Sequence, residues 1–189
     1  MSLTELTTIV PPPAHPIDPG DAPGWKTIER LLLLGDIPTD LFDLVHAYGT
    51  GFFMVETRNA IKITNPFSDE YWPWVVYTCR IHRRTKESAA SNVAHAFPFG
   101  VYPDSIGLFP IGTDSDGGTL YWYTEGRSSQ WPLLANPPGY RTFERFDMSL
   151  TTFLAKSFTG EVHCCLWKNT LEDRPRVFFK STKSLNPME

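Results

Sequence analysis

The chain has 189 residues, of which 41% are hydrophobic and 14% aromatic, and its formal net charge is −4. A chain of this length and composition can bury one sizeable core without disulfide or metal crosslinks, which predicts a single domain. The mild acidity argues against nucleic acid as a direct partner, because phosphate binding requires clustered Lys and Arg.

The cysteines and the N-terminal residues predict the cellular compartment in which the protein is found. Cys79, Cys164 and Cys165 form no disulfide framework, because their number is odd and two are adjacent. This pattern favours a reducing environment. The first residues lack the basic and apolar regions of a secretory signal, and the longest aliphatic run is only residues 31–34. We therefore expect a cytoplasmic protein without membrane association.

The first half of the chain predicts mainly helices. Five prolines within residues 1–20 indicate an extended N-terminal extension. Asp21 should cap a first helix that ends at Gly35, and a second helix should follow Pro38 and end at Gly49. The expected elements are helices at 23–34, 39–48 and 68–87, and strands at 51–56 and 60–64. The basic residues late in the third helix complement its dipole and are expected to form a solvated face.

The second half predicts strands and a closing helix. Asp114–Gly118 has the composition of a hairpin turn. Ser149 should cap a helix that ends before Gly160, with Met148 and Phe153 as a hydrophobic staple. The expected strands are 107–111, 119–124, 131–135 and 141–146, and residues 162–167 and 176–180 are either short strands or extended tail. We therefore divide the chain into an extension (1–20), one domain (21–161) and a C-terminal extension (162–189).

The sequence offers residues for a calcium site and for a zinc site but predicts neither. The turn at Asp114 lacks the series of oxygen ligands of a calcium loop, and Glu125, in the twelfth position, follows a strand. For zinc, Cys79 and His82 are three residues apart, but the downstream group has no zinc-finger spacing. That downstream group is His163, Cys164 and Cys165. We expect buried, unliganded thiols, with neither a metal nor another cofactor.

No catalytic motif is present in the sequence. It contains no nucleophile elbow, no phosphate-binding Gly-Lys-Ser or Gly-Lys-Thr loop and no His-Glu-x-x-His pair. His46 has no evident acidic partner and is expected to be a half-buried structural residue. We therefore predict no catalytic residues and a protein that is not an enzyme, and a small hydrolase or transferase remains the less favoured alternative.

Aromatic residues are concentrated around the predicted hairpin. On a strand, Tyr121 and Tyr123 point to one side and Trp122 to the other. One side must be core, and the other could be an exposed platform, because Tyr and Trp are frequent binding hot spots. The alternative is that helices and the N-terminal chain cover both sides of the strand. The candidate partner-binding residues are Asp114, Asp116, Tyr121, Trp122, Tyr123 and Trp131.

An ordered series of motifs resembles the SMI1/KNR4, or SUKH, superfamily. The series covers residues 23–161, and its order and spacing are more specific than any single motif. One position departs from the family pattern, because Gly118 stands where an acidic residue is common. The motifs are IPTDL at 37–41, YGTGF at 48–52, NPF at 65–67, GLFPIG at 107–112, DSDGGTLYW at 114–122, WPL at 131–133, FERFD at 143–147 and the closing helix at 149–160.

The resemblance implies an α+β fold with a mostly antiparallel sheet flanked by helices. It also implies a non-catalytic protein-binding module, since many bacterial members are thought to be immunity proteins that neutralise toxins. The expected partner is a cognate toxin domain, and a nuclease would fit because its basic cleft suits an acidic rim. A regulatory or scaffold domain of the same fold is the alternative. We expect a monomer or a weak homodimer.

Overall fold

A computed structural model describes residues 3–32, 35–56, 59–92, 98–139, 142–167 and 176–183. Within these ranges five α-helices accompany one seven-stranded sheet. The helices are Leu3–Ile9 (α1), Ala22–Leu32 (α2), Thr39–Tyr48 (α3), Tyr71–Asn92 (α4) and Leu150–Phe158 (α5). The strands are Gly51–Val55 (β1), Asn59–Ile63 (β2), Leu108–Asp114 (β3), Thr119–Tyr123 (β4), Leu133–Asn136 (β5), Glu144–Phe146 (β6) and Val177–Ser181 (β7).

The sheet is antiparallel throughout, with the strand order β6-β5-β4-β3-β2-β1-β7. The α+β prediction is therefore confirmed. β7 returns from the C-terminal region to pair with β1, where Phe179 lies opposite Phe53 with their ring centroids 5.0 Å apart. Of the two segments that could be strands or tail, 176–180 contributes to β7. Residues 162–167 form no strand and contain a 3-10 turn at Cys165–Trp167.

Helices cover both faces of the sheet. On one face, α5 places Phe158 against Phe53 and Phe153 against Phe146. On the other face, α4 lies over the centre of the sheet, where its His82 contacts Tyr121 of β4. A central strand is therefore buried on both sides, which removes the polar alternation expected for a half-exposed strand.

The extended segment predicted for the N-terminus is wrong for residues 3–9, whereas the proline-containing residues after them form no helix and pair with the domain at Ile17 and Gly49. Residues 3–9 form α1, which packs against α5 and α3 and buries Leu6 completely. Val10 is also fully buried, and its carbonyl accepts a hydrogen bond of 2.6 Å from the Tyr48 hydroxyl. Leu3, Leu6, Ile9 and Val10 have helical spacing, but seven helical residues are too few to be stable without tertiary packing. The prolines follow this helix.

Local chemistry sets the helix ends as predicted. The Asp21 carboxylate accepts a hydrogen bond of 2.7 Å from the Gly24 amide at the start of α2. After α3, Gly49 has a φ of +68°, and a Cβ there would collide with the carbonyl oxygen of Ile17. Glycine is thus required at this position both by its backbone conformation and by the close approach of the N-terminal chain.

Replacing Ser149 should destabilise the fold through α5. The Ser149 hydroxyl accepts a hydrogen bond of 3.3 Å from the Thr152 amide, as an N-cap residue does. We expect Ser149→Ala to lower the free energy of unfolding by about 0.5–2 kcal/mol. Chemical denaturation measures this change. Ser129→Ala, at an exposed position, is the control and should change stability by less than about 0.5 kcal/mol. Equal stabilities of the two variants would show that this cap contributes nothing.

Candidate functional site

The predicted hairpin is present, and its two acidic residues have different environments. Asp114 is half-buried, and its carboxylate accepts hydrogen bonds from the amides of Asp116 (3.1 Å) and Gly118 (2.6 Å). Burial raises the pKa of Asp114 above its usual value. Asp116 is exposed. Asp114 therefore holds the turn together, whereas Asp116 is available to a partner.

The exposed aromatic platform, one of the two alternatives that the sequence left open, is not observed. Tyr121 and Trp122 are almost completely buried, Trp131 is 7% exposed and Tyr123 is half-buried. Trp122 lies between Phe109 and Trp131, with ring centroids 6.4 and 6.2 Å from theirs. Of the two alternatives left open by the sequence, the core position is the one observed for Tyr121 and Trp122. These rings cannot serve as surface anchors in this conformation.

His82 is a core residue of α4. Its Nε2 lies 3.1 Å from the Tyr121 hydroxyl, and its side chain is 1% exposed. Burial lowers the pKa of His82 to about 4, so the imidazole is neutral near pH 7. His46, by contrast, was expected to be half-buried but is exposed, with its ring stacked on Phe42 at a centroid distance of 5.9 Å.

The zinc ligand set considered from the sequence is not brought together. Cys79 and His82 lie on α4, over the face of the sheet opposite α5. The described residues contain one group of three potential metal ligands, and this group joins Cys164 and Cys165 to Glu144. Sequence reasoning missed Glu144, which is distant from the cysteines along the chain.

An open cleft of about 880 Å³ lies between the start of α3, the start of α5 and the loop after β4. Its charged residues include Lys26, Glu29, Asp36, Asp40 and Arg127. Of the described residues that line it, none is a histidine or a cysteine. Asp40 accepts a hydrogen bond of 3.3 Å from the Thr151 amide, and burial raises its pKa. Its carboxylate therefore caps α5.

The outward face of α4 presents large apolar side chains to solvent. Val76 is 60% exposed and Tyr77 is 62% exposed. Beside them, a groove of about 410 Å³ separates α4 from the loop containing Tyr102 and Pro103.

Three arginines of α4 line this groove, and one of them hydrogen-bonds to the loop on its other side. The Arg83 guanidinium donates to the carbonyls of Val101 and Tyr102 and pairs with Asp104, each at 3.3 Å. Arg80 and Arg84 are exposed along the same helix. The basic run of α4 is therefore partly structural, and the prediction of a solvated face holds for Arg80 and Arg84. We call Val76, Tyr77, Arg80 and Arg84 the α4 surface.

Sequence reasoning missed this surface, although a signal for it exists. Tyr71, Val75, Cys79 and His82 are spaced four, four and three residues apart and form the buried stripe of α4. Residues 76 and 77 then fall outside that stripe, since successive helical residues are about 100° apart. An apolar residue outside the buried face of an amphipathic helix marks a candidate contact.

No protein-family model, curated protein or solved structure matches this chain. The resemblance to the SMI1/KNR4 superfamily therefore rests on the sequence motifs. Among the helices of the described ranges, none has both the length and the apolar character needed to cross a membrane.

Proposed function

We propose that this chain is a non-catalytic protein-binding module, an immunity protein that binds a cognate toxin domain and neutralises it in the cytoplasm. The series of SMI1/KNR4-like motifs supports the role. The structural observation that carries the proposal is the α4 surface, where two exposed apolar side chains lie on the same helix as two exposed arginines.

The residue types of the α4 surface suit a protein partner. Tyr and Arg are the residues that, with Trp, contribute most often to binding hot spots, because each combines a large apolar body with hydrogen-bonding groups. Tyr77 can bury its ring in a pocket of the partner while Val76 extends the apolar contact. A rigid helix holds both residues, so little conformational entropy is lost on binding.

The charge of the α4 surface defines the chemistry of the partner. Arg80 and Arg84 are exposed, with Glu87 as the acidic residue beside the same groove. The partner should therefore present carboxylates around an apolar patch, since complementary charges accelerate association and exclude unsuitable partners. A toxin that binds here would be neutralised because the chain covers its active site or holds it in an inactive conformation.

The tip of the hairpin is the second candidate surface, and it would meet a basic partner. Asp116 is exposed there, whereas the carboxylate of Asp114 is engaged in the turn. A toxic nuclease carries a basic cleft, so Asp116 would steer its approach. The buried aromatic rings cannot supply the apolar contacts at this tip. We therefore place the principal contact on α4.

The proposal is tested by searching the neighbouring genes for a toxin domain and co-expressing that domain with the chain. We expect protection of the cells and a one-to-one complex. Tyr77→Ala should weaken binding by about 2 kcal/mol, roughly 30-fold in Kd, mainly through faster dissociation. Arg84→Glu should slow association, and this effect should shrink at high salt. Isothermal titration and stopped-flow mixing measure these changes.

The control variant is Asp116→Lys, which alters the rival surface. If Asp116→Lys abolishes binding while Tyr77→Ala and Arg84→Glu bind normally, the contact lies on the hairpin and the α4 assignment is wrong. If the chain neither binds the toxin nor protects the cells, the immunity function itself is rejected. Circular dichroism must show that all three variants are folded.

A further inference from the structure

Three side chains with metal-binding atoms converge at one end of the sheet. The Sγ atoms of Cys164 and Cys165 and a carboxylate oxygen of Glu144 all lie within 4.8 Å of one another. Glu144 is the first residue of the edge strand β6, where it pairs with Ala135 of β5. Cys165 begins the 3-10 turn at Cys165–Trp167, and Cys164 directly precedes it. We call these three residues the Glu-Cys-Cys cluster.

Backbone contacts hold the Glu-Cys-Cys cluster in place. The Cys165 amide donates a hydrogen bond of 2.8 Å to Oε2 of Glu144, which orients the carboxylate toward the cysteines. The next residue, Leu166, is 4% exposed and packs closely on Gly118 of the hairpin. A Cβ on Gly118 would lie 2.6 Å from Cδ2 of Leu166, so the absence of a side chain allows this approach.

The cluster has one buried side and one open side. Cys164 is buried and Cys165 is half-buried, whereas Glu144 is exposed. A cation could therefore enter from solvent next to the carboxylate and be held against the buried thiol. Catalytic and exchangeable metal sites share this property, that one coordination position remains accessible to water.

A divalent cation would bind this cluster as two thiolates and one carboxylate. The thiol protons would be released to solvent on binding, because the cation stabilises the anionic ligands together.

We propose that Glu144, Cys164 and Cys165 bind one thiophilic divalent cation, for which zinc is the best match. Zinc accepts thiolate and carboxylate ligands in a tetrahedral arrangement, with water as the fourth ligand. Two thiolates on one zinc are about 3.8 Å apart, so the cysteines need to move little. The bound ion would tie β6 to the turn that follows α5 and so stabilise this end of the sheet.

This zinc site differs from the ligand set that the sequence suggests, and it revises the expectation that the chain binds no metal. The earlier ligand set joined Cys79 and His82 to the downstream cysteines, and the fold keeps these apart. Glu144 is the first residue of β6, and the position of this strand brings its carboxylate beside Cys165. Carboxylate ligands carry no spacing signal when they come from another element.

Cobalt(II) titration of the full chain under a thiol-free reductant tests the proposal. Cobalt bound by thiolates gives charge-transfer absorption in the near ultraviolet, which reports sulfur ligation directly. We expect this absorption to saturate at one equivalent and to disappear when zinc is added. Zinc should also raise the thermal unfolding midpoint, because it binds the folded state.

Variants identify the ligands. Cys165→Ser and Glu144→Gln each change a half-buried or exposed side chain and should leave the fold intact, as circular dichroism can confirm. Each should weaken cobalt binding by at least about tenfold. Cys79→Ala removes a cysteine distant from the cluster and should bind cobalt as the parent chain does. The absence of saturable binding in the parent chain, or unchanged affinity in both cluster variants, would overturn the assignment.

Discussion

Replacing Trp122 with alanine is expected to lower the free energy of unfolding by about 3–5 kcal/mol, the largest effect of any single substitution considered for this chain. Trp122 is 1% exposed and packs between Phe109 and Trp131 in the centre of the sheet. Alanine removes the indole from this core and leaves a cavity that the neighbouring rings can fill only in part. Urea denaturation followed by circular dichroism measures the loss.

The same substitution separates a core role from a binding role. Tyr77→Ala is the matched control, because it removes an exposed aromatic ring and should change stability by less than about 0.5 kcal/mol. A Trp122→Ala chain that is as stable as the parent but binds the partner poorly would restore Trp122 as a surface anchor. We expect the reverse, with Trp122 required for folding and Tyr77 for binding.

Acidification should destabilise the fold through His82. Burial holds the pKa of His82 near 4 in the folded state, against 6.5 in the unfolded chain. Between these values the unfolded state binds the proton more tightly, so stability is complete above pH 6.5 and falls as the pH decreases toward 4. The loss attributable to His82 amounts to about 3 kcal/mol at pH 4.

A variant with no ionisable side chain at position 82 isolates this contribution to the pH dependence of stability. His82→Gln keeps a polar side chain beside the Tyr121 hydroxyl, and its unfolding free energy should depend less on pH between 6.5 and 5. Asp40 and Asp114 act in the opposite sense, because their raised pKa values let the folded state bind protons more readily. Both carboxyl groups titrate in the parent and in the variant alike, so the difference between the two pH profiles reports His82. Parallel pH profiles of parent and variant would show that His82 is not the group responsible.

The sequence alone determined the features that depend on neighbouring residues. The Asp21 cap, the Ser149 cap and the turn at Asp114 are each made by a side chain bonding to a backbone amide within four residues. Gly49 ends α3 through its own backbone freedom. These interactions are local, so composition and spacing suffice to predict them. Alternating and helical hydrophobic patterns likewise placed most strands and helices.

The tertiary structure alone decided which of these residues are exposed. Alternation along β4 shows that Tyr121 and Trp122 face opposite sides, but only the position of α4 over one face and α5 over the other buries both. The helix at Leu3–Ile9 exists because Leu6 can pack against the core, which its short pattern did not reveal. The approach of Glu144 to Cys165 depends on a pairing between distant segments. Such contacts are set by the summed packing of the whole chain, and no local signal encodes them.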